Sequence, residues 1–165
     1  NKGAHLLCDI VHAACDALQR HTLVIAGTGP LKHDLEQAMH TTQVRARFLD
    51  WIDHDEALRL MAHCDLLLFP SAWGEPLSRV LLEACACRTP VLAMPTGGTP
   101  DIIVDGENGA LATTVPAFVH RMVELINQPE KRRALGVEAR HRAERRFAPG
   151  VVAAQLETLY QSLLR

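Results

Sequence analysis

The segment FPSAWGEPLSRVLLEACACRTPVLAMPTGGTPD, residues 69–101, decides the fold of this chain. The apolar run Asp65 to Phe69 enters it as a buried strand, and Pro90 to Ala93 forms a second one. Between them, Leu77 to Cys87 has the apolar spacing of a helix. A strand, a helix and another strand in this order are typical of a parallel pair joined by a crossover helix.

The alternation of strands and helices continues upstream. Two further apolar runs predict strands, at Thr22 to Ala26 and at Val44 to Leu49. Two segments predict helices, Leu31 to about His40 and Asp53 to His63. A first helix is predicted by one apolar stripe formed by Leu7, Ile10, Val11, Ala14 and Leu18. Because the strands are apolar on both faces, we predict an α/β fold. Its core is a Rossmann-like, doubly wound parallel sheet covered on both sides.

The last third of the chain is predicted to be helical, with prolines and Gly150 separating Pro116 to Asn127, Pro129 to Arg146 and Val151 to Leu164. We expect residues 1–165 to form a single domain with a helical tail over about 116–165. A doubly wound sheet normally begins with a central strand, whereas the first helix here starts near Gly3. We therefore expect that the first strand is missing and that the chain, which starts without Met, is a fragment.

Composition narrows the class of protein. The formal net charge of −2 provides no bulk positive field for nucleic acid. No apolar run approaches the ~18 residues of a membrane helix. Five cysteines inside apolar stretches suit small buried thiols in a reducing compartment, so we expect a cytoplasmic protein.

The loops after the strands predict an anion site. Pro76 suits the first position of a helix, which would leave the N–H groups of Leu77, Ser78 and Arg79 free to bind a phosphate. The helix would bury a stripe of Leu77, Val80, Leu81 and Ala84, with Glu83 off that stripe beside Arg79.

Two glutamates complete a recognisable pattern. Seven residues separate Glu75 from Glu83, and a TPV strand and Gly97-Gly98 follow. This pattern is similar to the E-x7-E signature of GT4-like retaining glycosyltransferases (glycosyl transferases group 1), in the C-terminal donor-binding domain of their GT-B fold. The resemblance extends over nearly the whole chain, through Lys2-Gly3, LVIAGTGPL (23–31), RFLDWI (47–52) and CDLLLFPS (64–71).

The resemblance implies a role for each matching residue. It places Glu83 on the ribose hydroxyls and Glu75, as the catalytic-centre residue, on the donor sugar. The backbone of Leu77, Ser78 and Arg79 would hold the diphosphate. Further donor contacts are implied for Lys2 at the leaving diphosphate, for Trp51 and Ile52 at the base, and for Gly27, Gly29, Gly97 and Gly98 in loops close to the nucleotide.

The resemblance also implies an activity. Such an enzyme transfers a sugar, of the hexosyl type, from a nucleotide diphosphate sugar to an acceptor with retention and without a metal or other cofactor. The partners expected are the nucleotide-sugar donor, the missing N-terminal GT-B domain and a sugar or lipid-linked acceptor. The pathway would be polysaccharide biosynthesis, at the inner face of the membrane, and this fragment alone is expected to be inactive.

Several positions leave alternatives open. Leu77-Ser78 stands where the family commonly has Phe-Gly, Arg88 where a glycine ends the helix, and Asp101 where glutamate is usual. A non-catalytic nucleotide-binding or scaffolding module and a GT-B nucleotide-sugar epimerase therefore remain alternatives. Glu83 could instead form a surface ion pair with Arg79.

Other patterns favour ordinary structural roles. Gly27-x-Gly29 lacks the third glycine of a dinucleotide motif, since Lys32 holds that position, and predicts a tight turn. Cys8 and His12 alone do not make a zinc site. The basic face Ala139 to Phe147 is expected to be solvated, with acidic lipid as the minor alternative.

Overall fold

The polypeptide alternates parallel strands with helices. A computed structural model of the chain describes residues 2–74 and 76–164. The strands described are β1 (Thr22–Ala26), β2 (Arg45–Leu49), β3 (Leu67–Phe69), β4 (Val91–Ala93) and β5 (Ala110–Leu111). The predicted strands are confirmed, and β5 is an addition to them.

Helices fill the connections and the C-terminal third. They are α1 (Ala4–Ala13), α2 (Cys15–Leu18), α3 (Lys32–Thr42), α4 (His54–His63), α5 (Arg79–Ala86), α6 (Thr99–Ile102), α7 (Val115–Asn127), α8 (Pro129–Arg146) and α9 (Pro149–Leu163). Within the described residues, none of them is long and apolar enough to cross a membrane.

The strands lie in two parallel sheets. β1 pairs with β2, with Ala26 opposite Leu49, and the second sheet has the order β3-β4-β5, with Phe69 opposite Ala93. The α/β class and the parallel pairing are confirmed. That a first strand of the sheet is missing from this chain stays a prediction.

One apolar core joins the two sheets. The buried side chains of Ile10, Leu92, Phe118 and Met122 belong to a cluster against which Leu23, Ile25 and Phe48 of the first sheet also pack. Each fully buried side chain of this size contributes about 1.5–3 kcal/mol. A second cluster lies between α5 and α8 and includes Leu81, Ala84, Ile103 and Ala139.

The burial of β1 and β2 differs from the prediction. β4 is buried at every position, as a strand covered on both faces should be. In β1, by contrast, exposed and half-buried residues alternate, and Val24 is 41% exposed. The expectation of burial on both faces is wrong for β1, because only Leu23 and Ile25 pack on the core, and for β2, where Arg45 and Arg47 are exposed.

Several local expectations also need correction. The first helix is interrupted at Ala14. The helix predicted to start at Leu31 begins at Lys32, with Leu31 as its N-cap residue. Gly150 lies inside α9, because the helix already begins at Pro149. Of the five cysteines only Cys85 is buried, and the others are half-buried.

Two arginines of the basic face of α8, Arg140 and Arg142, bind carbonyls of other helices, which corrects the expectation of a solvated face for these two; Arg145 and Arg146 are exposed. Arg140 donates to the carbonyl of Ala86 and to Glu144. Arg142 donates to the carbonyls of Ile102 and Asp101, each at 3.0 Å. These carbonyls lie at or near the ends of α5 and α6, where helices leave acceptors without intrahelical partners.

Candidate functional site

The candidate site lies at the carboxyl ends of the strands. Since the register aligns the ends of β1 with β2 and of β3 with β4, the loops that follow each pair leave from the same edge. After β1, the N–H of Gly27 donates to the carbonyls of Leu49 and Asp50 at 3.0 Å, and Gly27 has φ 119°. Gly27 therefore forms a bend next to the end of β2, and a hydrogen-bonded turn follows, in which Lys32 N–H donates to the Gly29 carbonyl at 3.1 Å.

A close contact joins the loop after β4 to the loop after β3. A Cβ atom added at Gly98 would lie 1.8 Å from the carbonyl oxygen of Pro76, so only glycine fits. Gly97 has φ 53°, which glycine adopts without strain. The observed close approach of the Gly97–Gly98 loop is to Pro76; its approach to a donor stays a prediction.

Gly3 makes the equivalent contact on the other side of β3. Its φ is 84°, and an added Cβ would lie 1.9 Å from the carbonyl oxygen of Pro70. Gly3 is also the N-cap residue of α1. The packing of Gly3 on Pro70 places the backbone of the exposed Lys2 beside the end of β3.

Hydrogen bonds hold the start of the loop after β3. Thr96 Oγ1 donates to the carbonyl of the fully buried Ser71 at 2.9 Å. Ser71 Oγ in turn accepts from the N–H of Trp73 at 3.4 Å. Sequence reasoning missed Thr96, and its only signal was a hydroxyl residue shortly after a strand end.

The helix after this loop begins later than predicted. Ser78 is extended, with φ −85° and ψ 114°, and α5 starts at Arg79. Pro76 is therefore outside the helix. The amides of the first turn of α5 are those of Arg79, Val80 and Leu81. The first helical bond runs from Leu82 N–H to the Ser78 carbonyl at 3.3 Å.

The late start rotates the buried face of α5. Leu77 and Val80 were expected to be buried but are 46% and 39% exposed. The buried side is formed by Ser78, Leu81, Ala84 and Cys85. Ser78 is 3% exposed, so its side chain is covered by the protein.

Glu83 lies on the opposite side of α5, toward α4. Its side chain is 24% exposed, and its Oε1 atom is 4.0 Å from His54 Nδ1. Within residues 2–74 and 76–164, Arg79 and Glu83 form no ion pair, so the structure does not support the surface-pair interpretation. Sequence reasoning missed His54, which is the first residue of α4.

The loop between β2 and α4 supplies an exposed aromatic ring. Trp51 is 81% exposed and Ile52 is half-buried. Asp53 ends the loop by accepting a hydrogen bond from Glu56 N–H at 2.7 Å, which fixes the start of α4. Glu75 lies outside the described residues, and Gly29 follows the Gly27 bend with open space around its Cα.

An ion pair between Lys32 and Asp50 lies near this edge. Lys32 donates to Asp50 at 2.6 Å, and this hydrogen bond raises the pKa of Lys32.

In the part of the chain that the structure describes, no three His, Cys, Asp or Glu residues could hold a metal ion together. His12 Nδ1 lies 2.8 Å from the carbonyl of Cys8, a backbone contact that makes no use of the thiol.

Comparison with known proteins identifies the class. The family model described as "Glycosyl transferases group 1" matches residues 1–142, and the chain belongs to this family. It is 34% identical over 160 residues to the GDP-mannose-dependent alpha-(1-6)-phosphatidylinositol dimannoside mannosyltransferase of Mycobacterium tuberculosis, covering 96% of this chain and 40% of that protein. It is 28% identical to Spore coat protein SA of Bacillus subtilis, and the match covers 97% of this chain and 45% of that protein. The chain thus spans less than half the length of these curated relatives.

Solved structures show the same fold. HepE of Anabaena in complex with UDP-glucose superposes with a TM-score of 0.78 at 27% identity, over 98% of this chain and 45% of that one. The C-terminal domain of the group 1 glycosyl transferase LpcC from Francisella tularensis has a TM-score of 0.80 at 23% identity, over 90% and 80%. The predicted family and the GT-B type of fold are confirmed, and the chain is a group 1 glycosyltransferase domain.

Proposed function

We propose that this chain is the donor-binding half of a retaining, metal-independent hexosyltransferase that uses a nucleotide diphosphate sugar. The observation that carries the proposal is the grouping of the α5 N-terminus, Glu83 and the Trp51 loop at one edge of the fold. The related HepE of Anabaena forms complexes with UDP and with UDP-glucose, which supports a donor of this class.

The diphosphate would bind at the N-terminus of α5. The amides of the exposed residues Arg79 and Val80 precede the first helical hydrogen bond and can donate to phosphate oxygens, which the helix dipole also favours. The late start of the helix moves this set one or two residues beyond the predicted Leu77 to Arg79. The buried side chain of Ser78 adds no exposed bulk beside these amides, which weakens one of the two reasons for favouring a non-catalytic module.

The nucleoside would lie between α5 and the Trp51 loop. A carboxylate such as that of Glu83 accepts hydrogen bonds from two ribose hydroxyls, which a neutral residue does less well. The exposed ring of Trp51 and the side chain of Ile52 would border the base, and Gly27 and Gly29 would allow the neighbouring loop to pass close to it.

The contribution to catalysis would be electrostatic. Negative charge grows on the departing diphosphate, and the α5 amides together with Lys2 would stabilise it without a divalent metal. Lys2 suits this role because Gly3 anchors it beside Pro70, at the end of β3. Glu75 would contact the hydroxyls of the transferred sugar.

The rest of the enzyme would supply the acceptor. We propose that residues 1–165 form one domain and that a second GT-B domain provides the site for a sugar or lipid-linked acceptor, in polysaccharide biosynthesis at the inner face of the membrane. We therefore expect this chain alone to bind the donor without transferring sugar. A nucleotide-sugar epimerase is the weaker alternative, because it would need an acid–base pair at the sugar, whereas Glu83 and its neighbour His54 lie where the nucleoside would bind.

Calorimetric titration tests the proposal. The chain is titrated with UDP, GDP and ADP in EDTA, and the titration is repeated on Glu83→Ala and on the control Glu157→Ala, an exposed residue of α9. We expect saturable binding of one nucleotide, weakened about tenfold or more by Glu83→Ala alone, since hydrogen bonds to a charged group contribute ~1.5–3 kcal/mol. Absence of binding by the folded chain, or equal affinity in both variants, would overturn the proposal.

A further inference from the structure

His54 and Glu83 face each other across the packed helices α4 and α5. The distance of 4.0 Å between His54 Nδ1 and Glu83 Oε1 is longer than a hydrogen bond, whose limit is about 3.2 Å. Both side chains reach solvent, with exposed fractions of 65% and 24%. The two groups therefore flank an open position where a third polar group can bind.

A single hydroxyl group fits this position. An oxygen about 2.7–2.8 Å from both atoms would see them at an angle of about 90°, close to the directions in which a hydroxyl donates and accepts. The hydroxyl would donate its proton to the Glu83 carboxylate and accept a hydrogen bond from the His54 N–H. The second carboxylate oxygen of Glu83 stays available for a neighbouring hydroxyl.

We propose that His54 is a specificity residue of the nucleoside subsite. Its N–H would donate a hydrogen bond to a ribose hydroxyl, and the same hydroxyl would donate a hydrogen bond to the Glu83 carboxylate. This inference rests on the proposed donor-binding function. It distinguishes a ribonucleotide from the deoxyribonucleotide that lacks the shared hydroxyl, because that loss leaves both His54 and Glu83 short of a partner.

The backbone around His54 is fixed for this task. His54 is the first residue of α4, and the side chain of the preceding Asp53 caps the helix. Trp51 and Ile52, which would border the base, come directly before it. The ribose and the base would thus be bound by one short loop and by a single carboxylate from α5.

The test compares ribonucleotides with deoxyribonucleotides. The chain is titrated with UDP, GDP and ADP and with their 2′-deoxy and 3′-deoxy forms. The variants are His54→Ala, His54→Asn, whose amide nitrogen can replace Nδ1, and Glu83→Ala. His63→Ala is the matched control, because His63 is an exposed histidine at the other end of α4.

We expect His54→Ala to weaken ribonucleotide binding about threefold to tenfold, as the loss of one neutral hydrogen bond does. The same variant should not change the affinity for the deoxy form that lacks the shared hydroxyl, and His54→Asn should recover part of the affinity for the ribonucleotide. If Glu83→Ala weakens binding while His54→Ala does nothing, or weakens ribo and deoxy forms equally, the inference is wrong and the proposed function stands. If Glu83→Ala has no effect, the proposed function itself fails.

Discussion

Gly98 lies against the carbonyl oxygen of Pro76 with no room for a Cβ atom, since an added methyl carbon would be 1.8 Å from that oxygen. The contact links the loop after β4 to the turn that precedes α5. The amides proposed to bind the diphosphate follow this turn directly. The geometry of the anion site thus depends on a glycine in a different loop.

Replacing Gly98 with alanine should damage both stability and binding. The clash is with backbone, so the chain must shift, and overpacking of this kind costs about 1–3 kcal/mol. We expect a lower urea midpoint and a weaker nucleotide affinity for Gly98→Ala. Gly150→Ala is the control, because nothing lies within 4 Å of its added Cβ. Unchanged stability and affinity in Gly98→Ala would show that this contact does not support the site.

Arg142 should stabilise the helix α6, which follows the Gly97–Gly98 loop. Its guanidinium binds the carbonyls of Asp101 and Ile102 in α6, which directly follows Gly97–Gly98. Arg142→Ala leaves these carbonyls without their partner and should cost about 1–3 kcal/mol in urea unfolding. Arg133→Ala, which removes only an exposed pair with Glu130, should cost less than about 1 kcal/mol. Equal losses in the two variants would contradict this role.

Thiol reactivity should differ sharply among the cysteines. Burial raises the pKa of Cys85 to about 11, so its thiolate is scarce at pH 8. We expect iodoacetamide at pH 8 to leave Cys85 unmodified in the folded chain and to modify it in urea, as read by peptide mass spectrometry. Because the folded pKa is raised, the stability from this thiol is present below pH 9 and lost as the pH rises toward 11. Rapid native alkylation of Cys85 would contradict the burial.

Acid should weaken the C-terminal helices. Hydrogen bonds from Lys131, Arg145 and Arg140 lower the pKa values of Glu124, Glu138 and Glu144 below their ordinary value of 4.5. Carboxylates with lowered pKa contribute stability above pH 4.5 that is lost as the pH falls through their folded pKa values.

The acid effect can be measured by urea unfolding at pH 7 and pH 3. We expect Glu124→Gln to reduce the difference between the two midpoints, while the control Glu157→Gln leaves it unchanged. The effect should be modest and sensitive to salt, because these pairs are near the surface. An identical pH difference in Glu124→Gln would exclude this ion pair as a source of acid sensitivity.

Local signals in the sequence predicted most elements well. The strand Thr22–Ala26 was predicted to the residue because Gly27 ends a short apolar run, and Pro129–Arg146 because proline marks its first turn. The start of α5 was missed because Pro76 has the local signature of a first helical residue. In the structure Pro76 lies before the helix and packs on Gly98 of another loop, a tertiary contact that no local pattern encodes.

The candidate site was predictable to the same extent. Glu83, the Trp51 loop and the two glycine loops follow from the order of strands and from the family resemblance. His54 was missed because its contact with Glu83 joins two helices distant in the chain. Arg142 was missed because a basic helix face looks the same whether its arginines meet solvent or the carbonyl end of another helix.

The most direct test of the account is an amide chemical-shift titration of the chain with UDP, GDP and ADP. If the account is right, one nucleotide will shift the amides of Ser78 to Leu81 together with the Trp51 indole N–H, at the same saturating concentration. Shifts confined to other surfaces, or no saturable shifts from a folded chain, would contradict a donor site at the start of α5.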